Sequence, residues 1–304
     1  MDWHPFLGLI AALACAPPTL AQTPPREQDI VVTAPGDGGD LDDATIVSAA
    51  ELSRGGTADL LGGLDRSVAG LSLSEAQSNP FQPNLVYRGF VASPLQGNAQ
   101  GLAFYVDGAR FNQPFGDTVD FDLLPENAIR SVAIKDASAV YGLNALGGAV
   151  VVSTKTGRSD PGVTLIGAGG DHGRARLSGE IGTASGPWSV YLALDEQHDN
   201  GWRRFSPSTL YNGYADVGWD GASAGLHVKL IAADTDLTGN GAAPVELLAA
   251  DRRAVYTWPD TTRNHYVRAS LHPWIALGAD TVLQASLYMQ WLRQRTINGD
   301  AADI

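Results

Sequence analysis

Residues 129–157 read IRSVAIKDASAVYGLNALGGAVVVSTKTG, and this stretch decides the fold. Two runs rich in Val and Ile flank a segment punctuated by Tyr141-Gly142 and Gly147-Gly148. Branched side chains suit a pleated, half-buried surface, and glycine supplies the backbone freedom of a turn. Upstream, LVYRGF at 85–90 and GLAFYVDGARF at 101–111 follow the same logic, and Asp107-Gly108 reads as a tight hairpin turn. Working outward, all of 44–157 alternates short β-branched runs with glycine turns and two helices. One helix is predicted over 48–52, where Ser48 can cap the following amides and Glu51 stands three residues on. The other is predicted over 57–64, with Thr57 as cap and Leu60, Leu61 and Leu64 facing a small core.

After Gly157 the pattern changes. Seven of the eight Phe precede this point, whereas six of the seven Trp and six of the nine Tyr follow it. Trp and Tyr join an apolar body to a polar tip and suit a membrane–water interface. Period-2 alternation also sets in: Arg174, Arg176, Ser178 and Glu180 alternate with Ala175, Leu177, Gly179 and Ile181. Leu283, Leu287 and Trp291 share one face, while Gln284, Ser286 and Gln290 share the other. The spacing predicts seven strands: 162–169, 173–183, 187–198, 208–219, 224–236, 263–272 and 280–295. Breaks at 184–186 and 220–223 read as short turns; 200–206 and 237–262 read as longer loops. Strands of this length, apolar on one side, suit either a transmembrane barrel or a soluble sandwich.

Composition narrows the choice. The formal net charge of −13 over 304 residues argues against a nucleic-acid partner, which needs a basic face. Charged residues make up 17%, below the roughly 25% of an average soluble domain. No run of about 18 apolar residues is present to form a transmembrane helix. Residues 6–16, FLGLIAALACA, followed by Thr19-Leu20-Ala21, read as a secretory signal over 1–21, although MDWH lacks the usual Lys or Arg. A buried N-terminal helix is the alternative. Cys15 is the only cysteine, so removal of the leader leaves no thiol for a disulfide or thiolate metal site. Residues 22–43 are rich in Pro, Gly and Asp and cannot bury enough surface to fold alone.

The strand order, the glycine turns and the Tyr87-Arg88-Gly89-Phe90 corner together resemble the plug domain of TonB-dependent outer-membrane receptors. The resemblance extends over residues 29–300. It implies an α+β plug domain at 44–157, followed at 158–304 by transmembrane antiparallel β-barrel strands. The family's barrel has about 22 strands, so about seven make an incomplete barrel, and the chain reads as an N-terminal portion of a larger receptor. Asp29, Ile30, Val31, Val32, Thr33 and Ala34 resemble a TonB box: an extended, β-prone island that can add as a strand to a partner's sheet edge. The implied partners are TonB, outer-membrane lipid and a small-molecule or metal-chelate substrate such as a ferric siderophore.

The resemblance also assigns residues. Arg88 would hold the plug in the barrel wall. The family pattern carries two glutamates near the start of 129–152 that pair with wall arginines; here Arg130 and Ala133 stand in their places. By similarity three plug loops, 78–84, 92–99 and 111–118, form the floor of the substrate cavity. They carry Phe81, Gln82, Gln96, Asn98, Asn112, Gln113, Phe115 and Asp117. Aromatics with uncharged amides suit a neutral, hydrogen-bonding ligand, whereas solvated turns would show the same composition. Asp117, Asp120 and Asp122 lack the ligand spacing of a calcium loop and read as a polar loop. No H-E-x-x-H or P-loop lysine is present, and the six His are scattered. The sequence therefore implies no catalytic residue, metal site or cofactor. An active outer-membrane transporter is the expectation; a passive porin-like barrel, a soluble secreted β-protein and a truncated, non-functional product are the alternatives.

Overall fold

Ser48 closes one element and opens the next in the computed structural model, which describes residues 44–278 and 281–299. It ends strand β1 (Thr45–Ser48). Its hydroxyl accepts the Glu51 amide, and the Glu51 carboxylate accepts the Ser48 amide at 2.9 Å, which caps helix α1 (Ala49–Leu52) as expected. Helix α2 (Leu60–Ser67) begins three residues later than Thr57 predicts. Asp59 is its cap, its carboxylate accepting the Gly62 amide at 2.9 Å. As a cap the Asp59 carboxylate gains, over the Thr57 hydroxyl, from the positive end of the helix dipole. The signal segment and the 29–34 island lie outside the described residues.

Strands β2 (Leu71–Ser74), β3 (Asn84–Tyr87) and β4 (Phe90–Ala92) form a small antiparallel sheet. Strands β5 (Leu102–Val106), β6 (Ala109–Arg110), β7 (Ile129–Lys135) and β8 (Gly148–Thr154) join β1 in the order β1-β7-β8-β5-β6. In this sheet β5 and β8 run parallel and the other pairs antiparallel. Asp107 and Gly108, with φ of 50° and 76°, make the left-handed turn that two-residue hairpins favour. The helices close over one face of the sheet. Val47, Leu52, Leu60, Leu64, Leu85, Phe104, Val132 and Val150 are at most 2% exposed and form its core.

The second half is one curved wall of consecutive antiparallel strands: β9 (Gly162–Gly169), β10 (Ala175–Ser185), β11 (Trp188–Asp199), β12 (Ser208–Asp220), β13 (Ala224–Thr238) and β14 (Thr261–Ala276). The seventh position, expected as one strand over 280–295, is split into β15 (Val282–Gln284) and β16 (Leu287–Ile297), both paired with β14. Pro273 of β14 is the cause. It stands opposite the break and has no N–H to donate, so the ladder lapses there. The Ala285 amide still donates to the Pro273 carbonyl at 3.0 Å, and the register is unchanged across the gap. The segment expected as a 237–262 loop is shorter at both ends and contains helix α3 (Val245–Ala250). Among the described residues no helix is long and apolar enough to cross a membrane, which says nothing of strands.

The wall has two unlike faces. Inward lie Tyr191, Asp195, Asn212, Tyr214, Lys229, Thr235, Asn264, Tyr266 and Arg268, all buried against the first domain. Outward, the register sets three successive rows across five strands. They are Val190, Val217, Val228, Leu271, Leu287; then Leu192, Ala215, Leu230, Ala269, Met289; then Leu194, Gly213, Ala232, Val267, Trp291. Leu283, Leu287 and Trp291 are exposed on this apolar face, as their alternation predicts. A band bare of charge across five strands has no place in water and fits lipid. Leu230→Arg should therefore destabilise the wall by about 2–4 kcal/mol in urea unfolding from lipid vesicles, and the inward Gln290→Arg by much less. Equal costs on both faces would argue for a sandwich buried on both sides.

Candidate functional site

The joint between the first domain and the wall holds most of the buried charge. Asp107, read from the sequence only as a turn residue, is its centre. The Thr154 amide and hydroxyl donate to its carboxylate at 3.0 and 2.7 Å, and the Lys229 ammonium of β13 lies 3.1 Å away. Lys229 also donates to Thr154 Oγ1 at 2.9 Å, and the Tyr214 hydroxyl donates to the Lys155 carbonyl at 3.0 Å. Burial pushes the Asp107 carboxyl up. Lys229 and the two Thr154 donors outweigh it and hold the group below the usual carboxylate range.

A second joint is built on Glu126. Glu126, three residues before Ile129, accepts the Leu60 amide at 3.0 Å and faces the Arg176 guanidinium of β10 at 3.3 Å. Arg176 is held bidentate by Asp195 at 2.8 and 2.9 Å and also donates to the Ala58 carbonyl. Burial pushes the Glu126 carboxyl up to about 7 against the pull of Arg176, although 21% of its side-chain surface stays open. A third joint centres on Asp122. Thr235 and Asn264 donate to its carboxylate at 2.7 and 2.9 Å, and Asn212 donates to its carbonyl at 2.9 Å. Burial raises both Asp120 and Asp122, and the charge of Asp122 raises Asp120 further. Lys155 with Glu180 at 2.7 Å and Asn127 with Ser178 at 3.0 Å complete the set.

The expected ligand-facing residues divide into two groups. Gln82, Asn112 and Gln113 are buried. Gln82 donates to Asp122 at 3.5 Å; Asn112 accepts the Phe104 amide at 2.7 Å and donates to the Leu102 carbonyl at 3.2 Å. Asp117 pairs with Arg110 at 2.8 Å and accepts from Asn144 at 2.8 Å. Gln82, Asn112 and Asp117 thus bond within the domain through their side chains, and Gln113 through its backbone amide to the Thr118 carbonyl at 2.8 Å. Asn98 donates to Ser93 at 2.9 Å but remains exposed, as do Gln96 and Phe115. Phe81 lies under the Arg174 guanidinium at 5.7 Å and lines a cavity of about 390 Å³ between α2, the 78–84 loop and β9–β12. Leu61, Glu126, Arg176, His198 and Asn212 also line it. Arg88, expected to hold the domain in the wall, pairs instead with Asp136 of its own domain at 2.8 Å, both side chains more than half exposed. Among the described residues no group of three or more His, Cys, Asp or Glu could hold a metal ion.

A family model, the TonB-dependent Receptor Plug Domain, matches residues 41–149. Among solved structures, the unliganded ferric citrate transporter FecA is similar with a TM-score of 0.70 at 14% identity, covering 85% of this chain and 41% of that one. The ferric yersiniabactin uptake receptor FyuA from Yersinia pestis gives 0.65 at 16% identity, over 85% and 42%. The ferric-catecholate import receptor Fiu from E. coli gives 0.63 at 18% identity, over 83% and 38%. The chain thus spans about two fifths of the length of these structures. No curated protein sequence matches it.

The joints are open to direct test. Lys229→Met leaves Asp107 buried beside Thr154 alone, and loss of one partner of such a pair costs about 3–5 kcal/mol. Hydrogen exchange at the 107–110 hairpin and β8 should accelerate accordingly, and the double variant with Asp107→Asn should recover most of the protection. Glu126 has the opposite pH signature. Its folded pKa of about 7 lies above the ordinary 4.5, so the folded state holds the proton longer than the unfolded chain. Stability of the joint is full below pH 4.5, falls as pH rises towards about 7 and then levels. Glu126→Gln should flatten that slope in exchange measured at α2 across this range.

Proposed function

We propose that this chain, whose residues 41–149 match the TonB-dependent receptor plug model, is part of an active transporter that takes up a scarce small molecule or metal chelate. Its setting is the outer membrane of a Gram-negative cell, where the uncharged outward rows of the wall meet lipid. The observation that carries the proposal is the polar joint. Asp107, Glu126 and Asp122 tie the plug to wall strands through ion pairs and hydrogen bonds rather than through a continuous apolar seal. Separating such groups lets water solvate each of them, so a plug held this way stays seated at rest and yields to a directed pull.

The substrate is bound from the loop end of the wall, by half-buried Phe81 and exposed Gln96, Asn98 and Phe115 together with the long wall loops. Phe81 beside Arg174 offers a cation and an aromatic face at one edge of the interfacial cavity. A ferric siderophore fits this reading, in keeping with the ferric chelates named for FecA, FyuA and Fiu. TonB supplies the pull through Asp29–Ala34, whose Ile30-Val31-Val32 can pair as an added strand. The chain does no covalent chemistry in this scheme.

Val31→Pro tests the coupling. Proline removes the amide that strand addition needs and fixes φ. In cells producing the complete receptor, energised uptake of the cognate ligand should be lost while binding at the cell surface is kept. Normal uptake by the variant, or wild-type uptake that ignores a proton uncoupler, would reduce the 29–34 island to a linker and favour a passive barrel.

A further inference from the structure

Asp120 is the one carboxylate among the described residues whose two oxygens are both buried without a hydrogen-bond partner. It stands just before a turn of 3-10 helix (Phe121–Leu123) and is 1% exposed. The amides of Gln113 and of Gln294 on β16 face it, and neither completes a hydrogen bond to it. Asp122 beside it is also buried, and its donors are unevenly shared. Thr235 and Asn264 both bond Oδ2, whereas Oδ1 has only the Gln82 amide at 3.5 Å. Asn264, 0% exposed on β14, spends its amide nitrogen on Asp122, and its own Oδ1 has no partner. No Lys, Arg or His among the described residues pairs with either carboxylate.

Two buried carboxylates and a buried carbonyl oxygen therefore meet at the joint with acceptors to spare and no positive charge beside them. A buried anion in this state is costly. A water molecule brings two donors and no charge, so it cannot answer three acceptors and two negative charges. A side chain from elsewhere in the protein cannot answer them either, because the described residues already close all three orphaned oxygens off from their surroundings. A cation can. The donors are all oxygens, which selects a hard ion over zinc or copper. Two carboxylates match a divalent charge. Magnesium keeps several of its waters, and a closed site leaves little room for them. Calcium takes about six to eight oxygens in flexible geometry and accepts a carboxylate by one oxygen or both. Half a turn of the Gln113 or Gln294 amide presents its oxygen in place of its nitrogen and adds to the set. The spacing of Asp120 and Asp122 is not that of a calcium loop because the third donor, Asn264, comes from a wall strand.

We propose that Asp120 and Asp122, with the side-chain oxygen of Asn264, hold a calcium ion that ties the plug to β14. The ion also governs the loops above it. Gln82 belongs to the 78–84 loop and contacts Asp122, and Gln113 belongs to the 111–118 loop and faces Asp120. An ion bound between them fixes two of the three loops expected to floor the substrate cavity. The inference rests on the seating of the plug in the wall and is independent of what the chain transports.

The test uses the complete receptor in uncharged detergent, stripped with a chelator and then returned to CaCl2, to MgCl2, or to NaCl at matched ionic strength. Wild type is compared with Asp120→Asn and with Asp65→Asn, a matched loss of an exposed acid on α2. The readouts are calcium bound per chain by equilibrium dialysis and hydrogen exchange at 111–123 and in β14. Exchange of the wild type in these segments should slow about tenfold once calcium reaches about ten times its dissociation constant. Asp120→Asn should bind one calcium fewer per chain. Without calcium it should already exchange more slowly than wild type, since it no longer buries an unanswered charge. Asp65→Asn should match wild type. Exchange that ignores calcium in the wild type would overturn the proposal. Equal protection by NaCl would mean screening, and equal protection by MgCl2 would remove the preference for calcium; either overturns it. Calcium protection retained in Asp120→Asn would place the ion elsewhere on the receptor and overturn it as well. Protection that rises as pH is lowered, with no response to calcium, would assign a proton shared by the two aspartates instead of the ion. Uptake is not part of the readout, so failure here leaves the transport reading standing, and the reverse holds too.

Discussion

Lys229 and Asp107 meet where both are nearly shut off from solvent, and the plug is seated by that constraint repeated along the wall. A charge taken out of water demands a partner in the correct place, and the demand is asymmetric. An intact pair adds little over a packed apolar substitute, whereas a broken pair leaves an uncompensated charge. Such contacts contribute more to register than to net stability. Slipping β13 by one residue would turn Lys229 into lipid and bring Val228 against Asp107 and Thr154. An apolar interface of the same extent would tolerate small displacements at little cost. The polar one has few intermediate arrangements, which suits a domain proposed to be either seated or withdrawn.

Much of the architecture was legible in the sequence because it depends on local patterns. Alternation over 174–291 marked the wall strands and their outward faces. Glycine and Asp-Gly marked the turns, and Ser48 with Glu51 marked a helix start that the structure reproduces in both of its hydrogen bonds. Errors arose where two local signals competed or where the cause lay on another strand. Thr57 and Asp59 both qualify as caps, and only the backbone geometry, with Asp59 extended immediately before Leu60, selects the second. The gap between β15 and β16 is caused by Pro273, twelve residues before Ala285 and on a different strand, so no window around the gap contains its explanation.

The site was far less legible than the fold. Asp107 belongs by sequence to a hairpin turn; its role depends on Thr154 and Lys229, which stand 47 and 122 residues away in contacts set by tertiary register. Gln82, Asn112, Gln113 and Asp117 have the composition of a ligand-binding surface, yet an amide suits a buried loop equally well, because it can satisfy backbone donors and acceptors together. Asn112 does so with Phe104 and Leu102. A usable signal did exist for the wall side. Lys229 and Arg176 are cations on the inward parity of their strands, and a long charged side chain facing the inside of a wall calls for an acceptor there.

Arginine shows how little residue type alone decides. Arg176 faces inward and is consumed by Glu126 and Asp195. Arg203 is buried in the loop after β11, where it donates to the carbonyls of Gly241 and Ala254 at 2.9 and 2.7 Å and so fastens the long 239–260 loop to its neighbour. The two settings differ in what the fold places within reach of a planar donor: a carboxylate or a bare carbonyl. Parity along the strand decides the first, because one residue of shift exchanges the plug for the membrane. Burial of a loop backbone decides the second, because carbonyls withdrawn from water must find a donor. The same residue thus seats a domain or fastens a loop according to the face and register at which it falls.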